Sequence, residues 1–98
     1  MFLVLLKFSA NKGAAAQFMR AHNDWIAKGV EDGVFLVVGS LQPKAGGAVL
    51  AHRLDAQEIQ KRVAEDPFVV EDVVRPEILE ITPNRTDPRL EFLMAQSG

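Results

Sequence analysis

Short apolar segments and longer amphipathic ones alternate along the chain. The first, FLVLLKF (residues 2–8), is rich in large apolar residues and ends at the turn cluster SANKG. It has apolar side chains at both odd and even positions, a pattern typical of a strand that is covered on both faces. VFLVVGSL (34–41) and AVLAHRL (48–54) have the same character and are joined by the predicted hairpin loop QPKAGG. We expect a fourth strand over about residues 77–82.

The amphipathic segments predict two helices. The first extends over residues 14–32, and Gly33 is placed to end it, because glycine readily adopts the left-handed conformation found after helix C-termini. The second extends over 56–65. Asp55 and Glu58 have the spacing of a capping box at its start, and the following Pro67 ends it, since proline cannot continue a helix. A short helical or irregular bridge, VVEDVV, then leads to the last strand.

This order of elements predicts the α+β class. Strand–helix–strand–strand–helix–strand is typical of a ferredoxin-like fold, an antiparallel four-stranded sheet with two helices on one face. The other face is also apolar, so we expect a second subunit to cover it, in a homodimer or a higher homo-oligomer. A chain of 98 residues makes a single domain, 1–98, with a C-terminal tail over about 83–98. We expect the apolar cluster of the tail (Leu90, Phe92, Leu93 and Met94) to pack on the subunit or its partner.

Composition and charge exclude several classes of function. The net charge is −2, from 11 basic and 13 acidic side chains, and no basic cluster is present, so neither nucleic acid nor an anionic membrane is expected as a partner. The chain has no cysteine and no metal-ligand spacing, which argues against a thiol nucleophile and a metal site. Its apolar runs are too short for a signal peptide or a membrane span. We expect a cytoplasmic protein.

Two titratable residues occupy apolar positions of the predicted helices. His22 lies on the stripe that contains Phe18 and Trp25, and Asp66 follows Ile59 by seven residues, on the same predicted side. A buried carboxylate or imidazolium is costly alone, but a His–Asp pair shares a hydrogen bond, orients the ring and leaves the second nitrogen as a general base. Two alternatives remain open: His22 is a hydrogen-bonded structural residue, and Asp66 caps a turn.

Four further residues are candidates for a binding role. Ser40 lies where the second strand ends, and its hydroxyl either binds a substrate or bonds the turn, while Gly39 beside it permits close approach to the backbone. Trp25 and Phe68 either enclose a pocket or pack in the core. His52, in the third strand, is expected to face solvent or a dimer interface.

These residues in this order resemble the YCII-related (YciI-like) family. The matching features are Ala21-His22 in the first helix, the strand end VGSL, and EDPFVV after the second helix, and the resemblance extends to about Thr82. It implies a dimeric α+β barrel and an active site built on a His–Asp pair, which here corresponds to His22 and Asp66. It also implies that neither a metal nor an organic cofactor takes part.

The chain departs from the family pattern at two positions. The strand end is commonly Gly-Pro-Leu in the family, whereas Ser40 replaces the proline here. Many members carry an arginine three residues before the histidine, and this chain has Met19. We expect both differences to affect which substrate the protein binds more than they affect its fold. Members with an assigned reaction act on small aromatic or cyclic molecules by elimination-type chemistry, which the resemblance implies for this chain.

We therefore expect a small cofactor-independent enzyme of the lyase or isomerase type. In this hypothesis His22 moves a proton on a small cyclic or aromatic molecule, and Asp66 orients its ring. Ser40 and the backbone near Gly39 hold a polar group of the substrate, which Trp25 and Phe68 enclose. One alternative is a non-catalytic ligand-binding or dimerising module of the same fold. Another is an enzyme similar to the muconolactone isomerases or monooxygenases of the same barrel superfamily.

Overall fold

A computed structural model of the chain describes residues 1–96. Its regular elements follow the predicted order, and the bridge before the last strand contains a short helix that begins at Pro67. They are β1 (Phe2–Phe8), α1 (Ala15–Glu31), β2 (Phe35–Leu41), β3 (Gly46–Ala51), α2 (Ala56–Ala64), α3 (Pro67–Val70) and β4 (Val74–Glu80). Short 3-10 segments precede α1 at Lys12–Ala14 and follow β4 at Pro88–Gln96. The α+β class is thus confirmed.

The four strands form one antiparallel sheet in the order β2-β3-β1-β4, which is the ferredoxin-like topology. Successive side chains of a strand point to opposite faces. On the inner face, β1 contributes Phe2, Val4 and Leu6, which are buried in the same core cluster as Ile59 and Val63 of α2. The helices therefore cover one face of the sheet, and this core fixes their position.

The outer face of the sheet is apolar, and α1, α2 and α3 all lie on the opposite face. One row of paired positions crosses all four strands, because Leu3 lies opposite both Leu50 and Leu79, and Leu50 lies opposite Val37. We call Val37, Leu50, Leu3 and Leu79 the outer row. Val37 and Leu79 are exposed, and Leu3 and Leu50 are half-buried. Apolar residues on both faces of the sheet were predicted from the sequence and are present here.

Local sequence signals place the helix ends as predicted. Gly33 has a left-handed φ of 76°. Just after the end of α1, the Gly33 amide donates to the Val30 carbonyl, and the Val34 amide donates to the Gly29 carbonyl. At α2, the Asp55 side chain accepts from the Glu58 amide, and the Glu58 side chain accepts from the Asp55 amide. These caps satisfy backbone groups that the helix itself leaves unpaired.

The last two strands differ from their predicted bounds. β4 begins at Val74 and includes Pro76, which lacks an amide hydrogen but is tolerated because β4 is an edge strand. β3 begins at Gly46, inside the predicted hairpin loop. It ends at Ala51, before Arg53 takes a left-handed φ of 63° that a strand cannot continue.

The C-terminal segment packs on its own subunit. Leu93 is buried, whereas Leu90, Phe92 and Met94 are exposed. Phe92 contacts the ring of His52 edge-on, with ring centroids 5.7 Å apart. His52 is itself buried and its Nε2 donates to the Gly33 carbonyl at 2.8 Å, so the expectation that it faces solvent or an interface is wrong. Residues 97 and 98 of the predicted tail lie outside the described residues.

Glycine in α1 allows the helix to lie close to the sheet, and we predict that Gly29→Ala destabilises the fold. A Cβ at Gly29 would overlap the buried Phe35 ring, whereas a Cβ at Gly13 would meet nothing within 4 Å. Overpacking of this kind lowers the free energy of unfolding by about 1–3 kcal/mol. Urea denaturation measures the difference, with Gly13→Ala as the matched control. Equal stability of the two variants would contradict close helix–sheet packing.

Candidate functional site

A cleft of about 350 Å³ opens between α1 and the inner face of the sheet. Mostly apolar and glycine residues form its walls: Leu6, Phe8, Met19, His22, Asn23, Ile26, Val38, Gly39, Ser40, Gly46, Gly47, Phe68 and Val74. A larger and more open depression of about 640 Å³ lies at the ends of β1 and β4, and His22 does not line it. The smaller cleft combines enclosure with chemically active groups, so it is the candidate site.

His22, which lines the cleft, forms a buried hydrogen bond to a residue that is distant in the sequence. His22 Nδ1 lies 2.7 Å from Asp66 Oδ1, across 44 residues of sequence. Asp66 is fully buried and His22 is 9% exposed. Because a carboxylate oxygen can only accept, Nδ1 carries the hydrogen and donates it. The second ring nitrogen, Nε2, forms no hydrogen bond among the described residues, and His22 lines the cleft.

Asp66 has two roles at once. Helix α2 ends at Ala64, and Asp66 follows with extended backbone angles (φ −62°, ψ 123°) as the N-cap of α3, which starts at Pro67. Its Oδ1 accepts from the Phe68 amide at 3.0 Å as well as from His22. The two interpretations of Asp66, turn cap and histidine partner, are therefore compatible. Asp66 belongs to the start of a new helix rather than to the continuation of the second.

The buried carboxylate depends on few donors. Both of its hydrogen bonds end on Oδ1, and Oδ2 is buried without a hydrogen-bond partner in the part of the chain that the structure describes. Removing a carboxylate from water is costly unless hydrogen bonds replace the lost hydration. The Nδ1–H of His22 and the amide of Phe68 are therefore the hydrogen-bond donors to the Asp66 side chain among the described residues.

Aromatic rings contact the imidazole. Phe68 stacks on the His22 ring with centroids 3.9 Å apart and planes inclined by 5°. Trp25 is more distant, at 6.0 Å and 25°, and its Nε1 donates to the Arg62 carbonyl at 2.9 Å. Trp25 is half-buried and is not among the residues that line the cleft, so the structure does not place it where it was predicted to enclose a substrate. Phe68 does line the cleft.

Two helical stripes of α1 meet at His22. Phe18, His22, Trp25 and Gly29 form the stripe that packs on the core. Met19, His22, Asn23 and Ile26 form a second stripe at the same helical spacing, and all four line the cleft. Asn23 was not identified from the sequence, although the second repeat starting at Met19 was a signal for it.

A bulge in β2 decides which residues of the strand end face the cleft. The register shifts between Phe35 and Val37, so that Val38 lies opposite the buried Val49, and Ser40 lies opposite Gly47. An uninterrupted strand would have placed Gly39 on the inner face in its place, since a slip of one residue exchanges the two faces. Ser40 lines the cleft, and Gly39 beside it contributes to the rim.

Two kinds of feature are absent from the described residues. Residues 1–96 contain no group of three or more histidine, cysteine, aspartate or glutamate side chains that could hold a metal ion. In the same range, no helix has the length and apolar character needed to cross a membrane.

The sequence matches a known protein family over most of its length. The model of the YCII-related domain matches residues 1–83. The chain belongs to the YCII-related family. No curated protein matches the sequence. The cleft, His22 and Asp66 all lie within the region that matches the YCII-related domain.

A solved structure has a similar fold. It is the 5-chloro-2-hydroxyhydroquinone dehydrochlorinase of Burkholderia phenoliruptrix AC1100, in complex with 2,5-dihydroxybenzoquinone. The TM-score is 0.67 at 12% identity, and the match covers 83% of this chain and 93% of that chain. At this identity, the likeness shows that the YCII-related chain shares the α+β fold of the dehydrochlorinase.

The hydrogen bond between His22 and Asp66 predicts energetic coupling. In a double-mutant cycle of His22→Gln and Asp66→Asn, we expect a coupling free energy of about 1.5–3 kcal/mol, because the bond is charge-assisted and buried. Urea denaturation of the four proteins measures it. The control cycle combines His22→Gln with Asp24→Asn, because Asp24 is an exposed residue of α1. Coupling as small as in the control cycle would contradict the bond.

Proposed function

We propose that this YCII-related protein is a small cofactor-independent enzyme of the lyase or isomerase type, with His22 as its general base. One observation carries the proposal: an imidazole that lines an apolar cleft donates its Nδ1–H to a fully buried carboxylate. A base oriented in this way is the arrangement that proton transfer requires. In this role Asp66 orients the ring and stabilises the imidazolium that forms.

The proposed proton transfer follows from the tautomer. With the hydrogen on Nδ1, the lone pair of Nε2 is available to a molecule in the cleft. In an elimination, Nε2 takes a proton from the substrate, and the electron pair left behind forms the new double bond. The leaving group departs with its own bonding pair, and the proton on Nε2 is later released to water. In an isomerisation, the same nitrogen returns the proton to another atom of the substrate.

The cleft favours a small, largely apolar substrate with a polar group. A volume of about 350 Å³ fits one ring with a few substituents, and Leu6, Ile26 and Val38 provide apolar walls. The Ser40 hydroxyl, with the backbone near Gly39, is proposed to bind a hydroxyl or carbonyl of the ring. The similar dehydrochlorinase was solved with a dihydroxybenzoquinone, which supports a cyclic substrate here.

The alternative is a non-catalytic module that binds a ligand in the same cleft. The observation in its favour is that Asp66 caps α3 and pairs with His22, two contacts that a structural role would explain. In that case, loss of His22 lowers stability or ligand affinity, and no turnover exists to be lost.

We also propose that two copies of the chain associate through their outer faces, sheet against sheet. The outer row supports this proposal, since Val37, Leu50, Leu3 and Leu79 form a continuous apolar line across the sheet. Apolar patches of this kind mark interaction sites in soluble proteins. The cleft lies on the inner face, so association through the outer face leaves it open.

Replacement of the base tests the catalytic proposal. We expect His22→Gln to lower kcat by about 10²–10⁴-fold toward a hydroxylated or chlorinated hydroquinone probe, because general-base catalysis contributes a factor of this size. The measurement is the absorbance change as probe is consumed, with product identified by mass spectrometry. Circular dichroism shows whether the variant remains folded.

His52→Gln is the matched control for this experiment. It removes the other histidine of the chain, which is buried and bonded to the Gly33 carbonyl, so it should lower the unfolding temperature and leave turnover per folded molecule unchanged. Turnover that persists in folded His22→Gln would refute the role of His22 as the base. Binding of the probe by the wild type without any turnover would favour the non-catalytic module.

A charge in the outer row tests the proposed dimer. We expect Val37→Glu to convert the dimer to a monomer, because a carboxylate would be buried between two apolar faces. Light scattering after size-exclusion chromatography measures the mass. Val70→Glu is the control, since Val70 is 65% exposed and Val37 is 59% exposed, but Val70 lies on α3. A monomeric native protein, or an unchanged mass in Val37→Glu, would contradict the proposal.

A further inference from the structure

Phe68 contacts both members of the His–Asp pair. Its ring lies parallel to the imidazole of His22, with centroids 3.9 Å apart and an angle of 5°. Its backbone amide donates to Asp66 Oδ1, the same oxygen that accepts from His22. The side chain is 5% exposed, so its ring is held by the core. Among the residues around the pair, Phe68 therefore combines a main-chain contact to the carboxylate with a ring contact to the base.

A single hydrogen bond does not determine the direction of an imidazole. The bond from Nδ1 to Asp66 restrains one atom, and the ring can still tilt through its χ1 and χ2 torsions within the angular range that a hydrogen bond tolerates. Tilting of this kind changes the direction in which the lone pair of Nε2 points. A flat surface in contact with the ring face removes that freedom, because turning the ring would separate the two faces or make them clash.

We propose that Phe68 is a positioning residue for the base: its ring fixes the plane of His22 so that Nε2 is directed into the cleft. This inference rests on the proposed function of His22 as a general base. The Asp66-Pro67-Phe68 segment then acts as one unit. Pro67 occupies the first helical position without an amide hydrogen, and the Phe68 amide is the donor that reaches the cap.

The stack also suits the charged form of the base. The face of a phenyl ring carries partial negative charge and attracts a cation placed against it. The ring of His22 becomes an imidazolium when Nε2 accepts a proton from the substrate. The contact with Phe68 is thus stronger after proton transfer than before it. An interaction of this kind increases kcat more than it improves substrate binding.

The first test uses NMR of the histidine side chains in the wild type and in Phe68→Leu. This variant keeps the backbone amide that bonds Asp66 and removes only the aromatic face. In the wild type, long-range ¹H–¹⁵N correlations should show the Nδ1–H tautomer of His22, with its ring protons shielded by Phe68. In Phe68→Leu, we expect that shielding to be lost and the population of the Nδ1–H tautomer to fall.

Phe18→Leu is the matched control. Phe18 lies one helical turn before His22 and packs on the same core, but it forms no ring contact with the imidazole among the residues that the structure describes. The signals of His22 should therefore be retained in Phe18→Leu. His52 reports on folding in every variant, because its bond to the Gly33 carbonyl depends on the intact fold.

The second test is kinetic and uses the same hydroquinone probe. We expect Phe68→Leu to lower kcat by about three- to tenfold, the size expected of one aromatic contact, with KM changed less than twofold. Phe18→Leu should leave both constants near their wild-type values. If Phe68→Leu does not fold, Phe68→Met takes its place, since its volume is closer to that of phenylalanine.

The outcomes separate this inference from the function on which it rests. If the wild type lacks the Nδ1–H tautomer, the His–Asp pair itself is refuted, and the positioning role falls with it. If the wild type shows that tautomer but folded Phe68→Leu keeps the same tautomer population and kcat, only the role of Phe68 is overturned. A rise in KM with unchanged kcat also overturns it, because Phe68 would then be a wall of the binding cleft.

Discussion

The hydrogen bond between His22 and Asp66 is the interaction on which the candidate site depends. It joins α1 to the start of α3 across 44 residues of sequence, and its carboxylate is fully buried. A buried charge is tolerated only where donors replace its hydration. The bond, the cap of α3 and the ring stack of Phe68 all converge on Asp66 or on its partner, so each constrains the other two.

Close packing of α1 on the sheet sets the space around this bond. The absence of a side chain at Gly29 allows the Phe35 ring to lie against the helix, and the Trp25 indole bonds the carbonyl of Arg62 in α2. These contacts lie on the core side of His22. On its other side, the shorter residues of the β2 and β3 ends leave the cleft open. His22 therefore has one side in the core and one at the cleft, which explains an imidazole on an apolar stripe.

The two faces of the sheet have different roles in the proposed function. The inner face carries the core and, at the end of β2, the Ser40 side of the cleft. The outer row crosses the other face, where the charged side chains Lys7, Arg75 and Glu77 lie at one end of the strands. Under the proposal, chemistry and association lie on opposite faces of the sheet, so each surface can change without loss of the other.

The sequence by itself determined the elements, their order and the class of the fold. Hydrophobic periodicity, Gly33 and the Asp55–Glu58 capping box act through neighbours in the chain, so they are visible in a short window of sequence. It also indicated His22 and Asp66 as polar exceptions in apolar surroundings. The bounds of β4 were harder to predict from the sequence. Pro76 is tolerated only in an edge strand, and which strands lie at the edges is decided when the sheet assembles.

Only the tertiary structure decided how these residues meet. The bulge between Phe35 and Val37 places Ser40 on the cleft side, and a one-residue shift of this kind leaves no clear mark in the sequence. The burial of His52 depends on the Gly33 carbonyl and Phe92, which are distant in sequence. The same holds for the stack of Phe68 on His22. Distance and orientation between remote residues are properties of packing, and packing is set by the whole core rather than by any local pattern.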